Sequence, residues 1–241
     1  MATDNEREIF ESMILNSVGR DAINLPAIDV TGFLAMAGRA WSGELMVVGR
    51  AVNGWTNGVL PDCFAIPSEA SKFAKLVQDS VAGDDRCPMS WVTDHWGENT
   101  QGYNTKRSAF WRSIRSVVKQ LGIADVENTS WSSQLVWSNL YKISPSIGGN
   151  PNNTLCDIQF SGCSQLLNLE LATYCPTRVL FLTGANWADP FLTGWEQRGS
   201  DKFSYVERFG IYGNTRYVVA VHPQGKPEEQ WVNEVISAFN C

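Results

Sequence analysis

The sequence predicts an α/β fold, a three-layer α/β/α sandwich around a central, mainly parallel sheet of four strands. Four short apolar runs, rich in β-branched residues and ending at turn-forming residues, are typical of buried parallel strands. They cover residues 44–49, 134–143, 178–184 and 216–221. Helical patterns occupy residues 68–81, 106–121, 159–174 and 227–239. Because crossovers between parallel strands are right-handed, helices are expected on both faces of the sheet.

Each element has its own signal in the sequence. The first strand (ELMVVG), the third (RVLFLTG) and the fourth (RYVVAV) are nearly continuous apolar runs. The second strand, QLVWSNLYKI, carries Asn139 inside an otherwise apolar run. Among the helices, residues 68–81 begin with a serine followed by an early Glu69, a pattern typical of an N-cap. Residues 106–121 place Phe110 and other apolar side chains on one face.

One long segment fits no regular element. Residues 82–105 have no clear periodicity and are rich in Asp, Gly, Asn and Trp. Because structureless loops of this length are uncommon, we expect an irregular insertion that works as a functional loop or lid. No internal repeat or low-complexity linker divides the chain, so a single domain over residues 1–241 is predicted.

Composition limits the function classes. The 44% hydrophobic content supports a folded core, and the net charge of −6 argues against a dedicated, high-affinity binder of duplex DNA. No apolar run approaches the ~20 residues of a membrane helix, and the first residues are polar. A cytoplasmic monomer is therefore expected. The six cysteines contain no C-x-x-C pair, which favours buried thiols and predicts neither a metal nor a cofactor.

Common catalytic motifs are missing, so attention falls on the strand ends. There is no phosphate-binding loop, dinucleotide-binding glycine motif, nucleophile elbow or zinc-protease motif, and the only histidines are His95 and His222. Unusual segments are associated with the four strands. They are GRAVNGW at 49–55, WSNLYKISP at 137–145, VLFLTGANW at 179–187 and VHPQGKP at 221–227.

In their order and spacing, these segments resemble the uracil-DNA glycosylase superfamily, over roughly residues 44–227. In that family a Gly-led loop follows the first strand, an aromatic ring then stacks on the base, and an Asn on the second strand reads the base edge. The last strand of the family ends in His-Pro-Ser, which resembles the His-Pro-Gln of this chain at 222–224. The resemblance implies a uracil-DNA glycosylase-like fold.

The resemblance also implies roles for particular residues. Base contacts are expected from the loop after the first strand, a ring and an amide, namely Gly49, Arg50, Ala51, Phe64 and Asn139. Catalytic roles are expected for His222 and Asn53. Phosphate or DNA contacts are expected for Lys142, Gln224 and Lys226.

The chemistry of these residue types suits a base pocket. An Asn amide presents an acceptor and two donors, which matches the N3–H and O4 edge of uracil and discriminates against cytosine. Stacking of a base on an aromatic ring contributes ~1–3 kcal/mol. A histidine near O2 stabilises the negative charge that grows on the leaving base.

The pattern departs from the family in the first loop, where no carboxylate stands at the usual positions: Arg50 and Ala51 occupy them. Asn53 is then the candidate that orients water. Structural roles remain open for the same residues, with Phe64 in the core and Asn53 in a turn before Gly54.

Three functions follow from these observations. The first is a DNA glycosylase-like hydrolase of base-excision repair that cleaves the N-glycosidic bond of uracil or a related damaged base. The second is a catalytically inactive module of the same fold that binds a nucleobase, a nucleotide or nucleic acid. Partners are therefore DNA, including single-stranded DNA, or a free nucleobase or nucleotide. The third is an unrelated thiol hydrolase that uses a cysteine and His222.

Overall fold

The computed structural model describes residues 2–83, 86–98, 103–198 and 202–241 and has a mixed α/β architecture. Its helices are α1 (Asp4–Met13), α2 (Pro67–Ala82), α3 (Trp91–Asp94), α4 (Ala109–Gln120), α5 (Asn153–Tyr174), α6 (Ala185–Ala188) and α7 (Glu228–Phe239). Its strands are β1 (Val30–Gly32), β2 (Met36–Ala37), β3 (Leu45–Ala51), β4 (Leu135–Tyr141), β5 (Ile143–Pro145), β6 (Arg178–Phe181), β7 (Glu196–Arg198), β8 (Val206–Tyr212) and β9 (Thr215–Ala220).

The main sheet has seven strands in the order β2-β4-β3-β6-β9-β8-β7. Strand β6 pairs in parallel with β3 on one side and with β9 on the other, whereas β8 pairs antiparallel with both β9 and β7. A second, two-stranded sheet is formed by β1 and β5, which pair antiparallel. The predicted α/β class is confirmed. The predicted four-stranded sheet is wrong in its strand count, since a hairpin and short edge strands extend it.

The strand order contains a reversal next to β3. Along the chain β3 is followed by β4 on one side of it, and β6, the next strand of the main sheet, lies on its other side. In open α/β sheets, ligands bind beyond the carboxyl ends of the strands at such a reversal. The sheet topology therefore draws attention to the segments that follow β3, β6 and β9.

The four predicted strands and the four predicted long helices are all present, with shifts of a few residues at their ends. The helix predicted to start at Ser68 begins one residue earlier, because Pro67 occupies its first turn and Ile66 is the N-cap. Part of the predicted irregular insertion lies outside the described residues (84–85 and 99–102). The described remainder holds α3, the 3₁₀ turn Pro88–Ser90 and the first residue of a second 3₁₀ turn, Thr105–Arg107.

The chain divides into two compact units, each built from three segments. Unit 1 comprises Met1–Met36, Gly49–Gly83 and Ser138–Tyr174. Unit 2 comprises Ala37–Val48, Asp84–Trp137 and Cys175–Cys241. Along the chain, the segments of the two units alternate. The single-domain organisation stays a prediction.

In unit 1, α1 packs against α2 and α5. Phe10 of α1 and Phe73 of α2 meet with ring centroids 6.2 Å apart. Helices α1 and α5 approach closely because α5 has a glycine at the contact. A Cβ added to Gly162 would lie 2.5 Å from Cγ of Met13.

In unit 2, α4 packs against α7, and α7 contacts β8 and β9. Trp231 of α7 is fully buried and its indole N–H donates to the carbonyl of Val221, 2.8 Å away. This bond fixes the segment that follows β9 onto the last helix.

Two further observations concern the described residues as a whole. None of their helices has the length and apolar character needed to cross a bilayer. Of the six cysteines, Cys156 and Cys163 are buried, as expected, whereas Cys63 and Cys87 are half-buried and Cys175 and Cys241 are exposed.

Candidate functional site

The loop after β3 is held in place by hydrogen bonds within unit 1. Ser144 Oγ donates to the carbonyl of Val52 over 2.6 Å. The backbone N–H of Gly149 donates to Oδ1 of Asn53 over 2.7 Å, although Asn53 is exposed. Gly148, beside it, has a φ of 100°, a conformation that L side chains rarely adopt. The amide oxygen of Asn53 thus stabilises the turn at Gly148 and Gly149. The role left open for Asn53, in a turn before Gly54, is a different one that this bond does not test.

Residues that precede Asn53 in this loop form the end of β3. Gly49 is buried, whereas Arg50 and Ala51 are half-buried. No carboxylate belongs to residues 49–53, so a general base is not supplied by this segment. The predicted base contacts of these three residues stay predictions.

Asn139 is the buried amide of β4. Its side chain is 2% exposed, and its Nδ2 has no hydrogen-bond partner among the described residues. A buried donor left unpaired costs about 1–3 kcal/mol, so native structures usually pair such a group with protein, water or ligand. Because side chains alternate along a strand, Asn139 faces away from its neighbour Ser138. Asn139 is therefore a candidate for contacting a bound molecule.

Phe64 does not have the geometry expected of a base-stacking ring. It is fully buried in the 3₁₀ turn Pro61–Ala65, with its ring centroid 4.9 Å from that of Phe73. The turn packs on the helical segment Ile14–Gly19, where a Cβ on Gly19 would lie 2.4 Å from the carbonyl carbon of Phe64. This close approach turns the ring into the core of unit 1. Phe64 thus has no exposed face for a base, which corrects the predicted role.

Lys142 does not have the geometry expected of a phosphate contact either. Its side chain is fully buried, and its Nζ donates to Oε1 of Glu170 over 2.6 Å and to Oγ of Ser138 over 2.8 Å. The residue lies between β4 and β5 and faces α5, which carries Glu170. A lysine held this way cannot reach a solvent-exposed phosphate, so the predicted contact is wrong.

The buried ion pair belongs to a larger polar cluster in unit 1. The Ser138 hydroxyl donates to the other carboxylate oxygen of Glu170 over 2.7 Å. Glu6 of α1 is also fully buried, and burial followed by the negative charge of Glu170 raises its pKa above 4.5. Glu6 also accepts a hydrogen bond from the backbone of Thr3 in a capping box. From the sequence, Lys142 was placed at a phosphate, and both this cluster and its acidic members were missed.

His222 follows β9 in unit 2 and is half-buried. The backbone N–H of Gln224 donates to its Nδ1 over 3.3 Å. This contact orients the imidazole against the turn that follows it. The ring lies nearly parallel to that of Phe110, with a centroid distance of 6.4 Å and an interplanar angle of 24°.

The predicted phosphate contacts Gln224 and Lys226 are exposed in the same turn. The N–H of Lys226 donates to the carbonyl of Pro223 over 3.0 Å, and Gly225 has a φ of 74°. The turn holds both side chains at the surface, where phosphate contact stays a prediction.

The predicted site residues divide between the two units. Unit 1 contains Gly49, Arg50, Ala51, Asn53, Phe64, Asn139 and Lys142. Unit 2 contains His222, Gln224 and Lys226. Within unit 1, the structure ties the loop after β3 to the segment after β5, and Phe64 belongs to the core.

Buried cysteines give little support to thiolate chemistry. Burial raises the pKa of Cys156 to about 11 and that of Cys163 to about 12. Both are therefore protonated at neutral pH, and a thiolate nucleophile would be scarce. Among the described residues, no group of three His, Cys, Asp or Glu side chains is placed to hold a metal ion.

Comparison with protein-family models and with curated proteins finds no match for this chain. The likeness to the uracil-DNA glycosylase superfamily consequently rests on the residues themselves.

Proposed function

We propose that this chain recognises a nucleobase through Asn139 and acts as a DNA glycosylase-like hydrolase on uracil or a related damaged base. The observation that carries the proposal is the buried Nδ2 of Asn139, which has no partner among the described residues. A pyrimidine O4 would accept from this group, and the Oδ1 of the same amide would accept from N3–H.

The reaction would be hydrolysis of the bond between C1′ of the sugar and the base. The oxygen of a water molecule bonds to C1′, the C1′–N bond breaks, and its electron pair leaves with the base. The water gives up a proton to solvent. Hydrogen-bond donors aimed at the oxygen of the departing anion would stabilise the charge that develops on it. The base must first leave the stack to reach a pocket of this kind.

A second function is favoured by a specific observation on the loop after β3. The Asn53 amide oxygen is engaged by Gly149, and residues 49–53 supply no carboxylate to activate water. The same site would then bind a nucleobase or nucleotide without cleaving a bond.

Release of free base from uracil-containing single-stranded and duplex oligonucleotides tests the first function. Asn139→Asp keeps the size of the side chain but replaces the donor with an acceptor. We expect it to reduce uracil release at least 100-fold, since a mismatched buried edge is strongly rejected. An equivalent change at an exposed position, Asn16→Asp, is the control and should leave release unchanged.

Calorimetry with uracil, cytosine and their nucleosides separates the two functions. Binding that depends on Asn139 without base release supports the binding module. If the folded protein shows no base binding and no base release, both functions are overturned.

A further inference from the structure

We propose that a base of single-stranded nucleic acid stacks on Phe110, and that Lys106 and Arg107, which precede Phe110 in the chain, contact the phosphates of the same strand. This proposal rests on unit 2 alone and goes beyond the proposed function, which rests on Asn139 of unit 1. A stacking ring needs an exposed face, which the fully buried Phe64 lacks.

Phe110 offers such a face at the start of α4. It is half-buried and lies in the first turn of the helix, after the N-cap Ser108. Its ring is nearly parallel to that of His222, the residue expected to stabilise the leaving base.

The ring is supported from behind by a buried aromatic cluster. Trp111 is 2% exposed and contacts Phe110 edge-on, with ring centroids 5.1 Å apart. Trp111 in turn meets Trp91 at 5.3 Å and Trp137 at 5.4 Å, both in edge-to-face geometry. Such packing restricts the motion of Phe110 and reduces the entropy lost when a base binds.

Two cations precede this ring in the chain. Lys106 and Arg107 are exposed in the 3₁₀ turn Thr105–Arg107, and neither forms an ion pair with a described carboxylate. The Arg112 guanidinium donates to the carbonyls of both residues, over 3.1 and 2.8 Å. Its Nε donates to Glu228 of α7 over 2.9 Å.

Arg112 therefore joins the cationic turn to the start of α7, just after the exposed Lys226. Glu228, which would repel a phosphate, is already paired with this arginine. On a chain with a net charge of −6, the surface around Phe110 is a local site of unpaired positive charge. Phosphates are attracted to such a site even when the protein as a whole is acidic.

A single strand suits this surface better than a duplex does. Stacking on an aromatic ring requires an unstacked base, and it tolerates any base sequence. A few cations next to one ring also match a short length of backbone, whereas duplex binders present a basic stripe.

Fluorescence anisotropy with a labelled single-stranded oligo-dT, with and without one deoxyuridine, tests the proposal on the full chain. Phe110→Ala is expected to weaken binding about 10- to 100-fold, whereas Phe110→Trp retains it. Phe203→Ala is a matched control, because Phe203 is also half-buried and has the Lys202 ammonium 5.0 Å from its ring. That variant should bind like the unmodified chain, and circular dichroism confirms that each variant is folded.

The cations are tested by charge reversal. Lys106→Glu with Arg107→Glu should lower affinity and reduce the slope of log K against log salt by about 1.4, because each phosphate that is no longer neutralised accounts for about 0.7. Lys72→Glu with Lys75→Glu makes the same change of net charge on exposed positions of α2 and should have a smaller effect.

The outcomes separate this proposal from the proposed function. Equal binding by Phe110→Ala and Phe203→Ala overturns the stacking role, even where base release still depends on Asn139. Equal decreases in affinity from the two charge reversals overturn the phosphate contacts. If the unmodified chain does not bind the oligonucleotide even at low salt, the whole proposal is overturned. Strand binding that depends on Phe110 without any free-base binding supports it and counts against the proposed function.

Discussion

The ammonium of Lys142 lies 2.6 Å from a carboxylate oxygen of Glu170, and both side chains are fully buried. Removing two charges from water is costly, and the Ser138 hydroxyl, which bonds to both, offsets part of this cost. The pair joins the end of β4 to α5 and therefore fixes the position of the strand that carries Asn139. The loss of unfolding free energy should be large when one partner of the pair is substituted and small when both partners are substituted together.

We therefore expect Lys142→Met to lower the free energy of unfolding by about 3–5 kcal/mol, because it leaves a buried carboxylate uncompensated. Combining it with Glu170→Leu should restore most of the loss. Urea unfolding at neutral pH measures both. Lys75→Met, which disrupts an exposed pair with Asp79, is the control and should cost less than about 1 kcal/mol. Additive losses in the double variant would contradict this account.

The raised pKa of Glu6 predicts how the free energy of unfolding depends on pH. Burial, and next the charge of Glu170, raises its pKa in the folded state above the ordinary value of 4.5. The folded chain then holds more protons than the unfolded chain, so the free energy of unfolding falls as pH rises from about 4.5 through the folded-state pKa. Glu6→Gln keeps an acceptor for the Thr3 N–H and removes the titration. Its unfolding free energy should decline less over this range than that of the unmodified chain, as measured by urea titration at several pH values. Parallel pH profiles would show that Glu6 does not cause the decline.

Local patterns identified the elements better than they identified the site. Apolar runs located β3, β4, β6 and β9, and helical periodicity located the long helices. Both patterns depend only on residues that are close together in the chain. The hairpin β8–β9 was missed although Gly213-Asn214 separates two apolar runs, a typical hairpin signal.

Site residues were harder to predict because burial is decided by distant contacts. Whether Phe64 packs in the core depends on Gly19, which is 45 positions away in the chain. Lys142 is buried because α5 supplies Glu170, and an isolated lysine in a strand carries no sign of its partner. Asn139 differs, since an amide inside an apolar strand already indicated a polar partner, although it did not identify one.

Phe64 provides a test that separates packing from ligand contact. Because its ring is fully buried against Phe73, Phe64→Ala should lower the unfolding free energy by about 3–5 kcal/mol. Phe64→Leu leaves a smaller cavity and should cost less. In folded protein, Phe64→Leu should bind uracil with the affinity of the unmodified chain, as measured by calorimetry. A loss of base affinity that exceeds the loss of stability would show that Phe64 contacts the base after all.

The last prediction concerns a bulge beside the end of β9. The β8–β9 register shifts between Val206 and Arg208, which leaves Glu207 as the extra residue. Bulges re-aim side chains, and here the Oε2 of Glu207 accepts from the N–H of Ala185 over 2.6 Å. The carboxylate thus caps the first turn of α6, where a negative charge also interacts favourably with the helix dipole.

Glu207→Ala should lower the unfolding free energy by about 0.5–2 kcal/mol and speed hydrogen exchange of the Ala185 amide. Glu207→Gln keeps an acceptor but loses the charge, so its effect should be smaller. Glu196→Ala, on the exposed edge strand β7, is the control and should leave Ala185 exchange unchanged. Unchanged exchange of the Ala185 amide in Glu207→Ala would mean that the bulge does not stabilise the first turn of α6. Faster exchange would show that it positions the segment after β6, one of the strand ends at which the sheet topology leads us to expect a ligand.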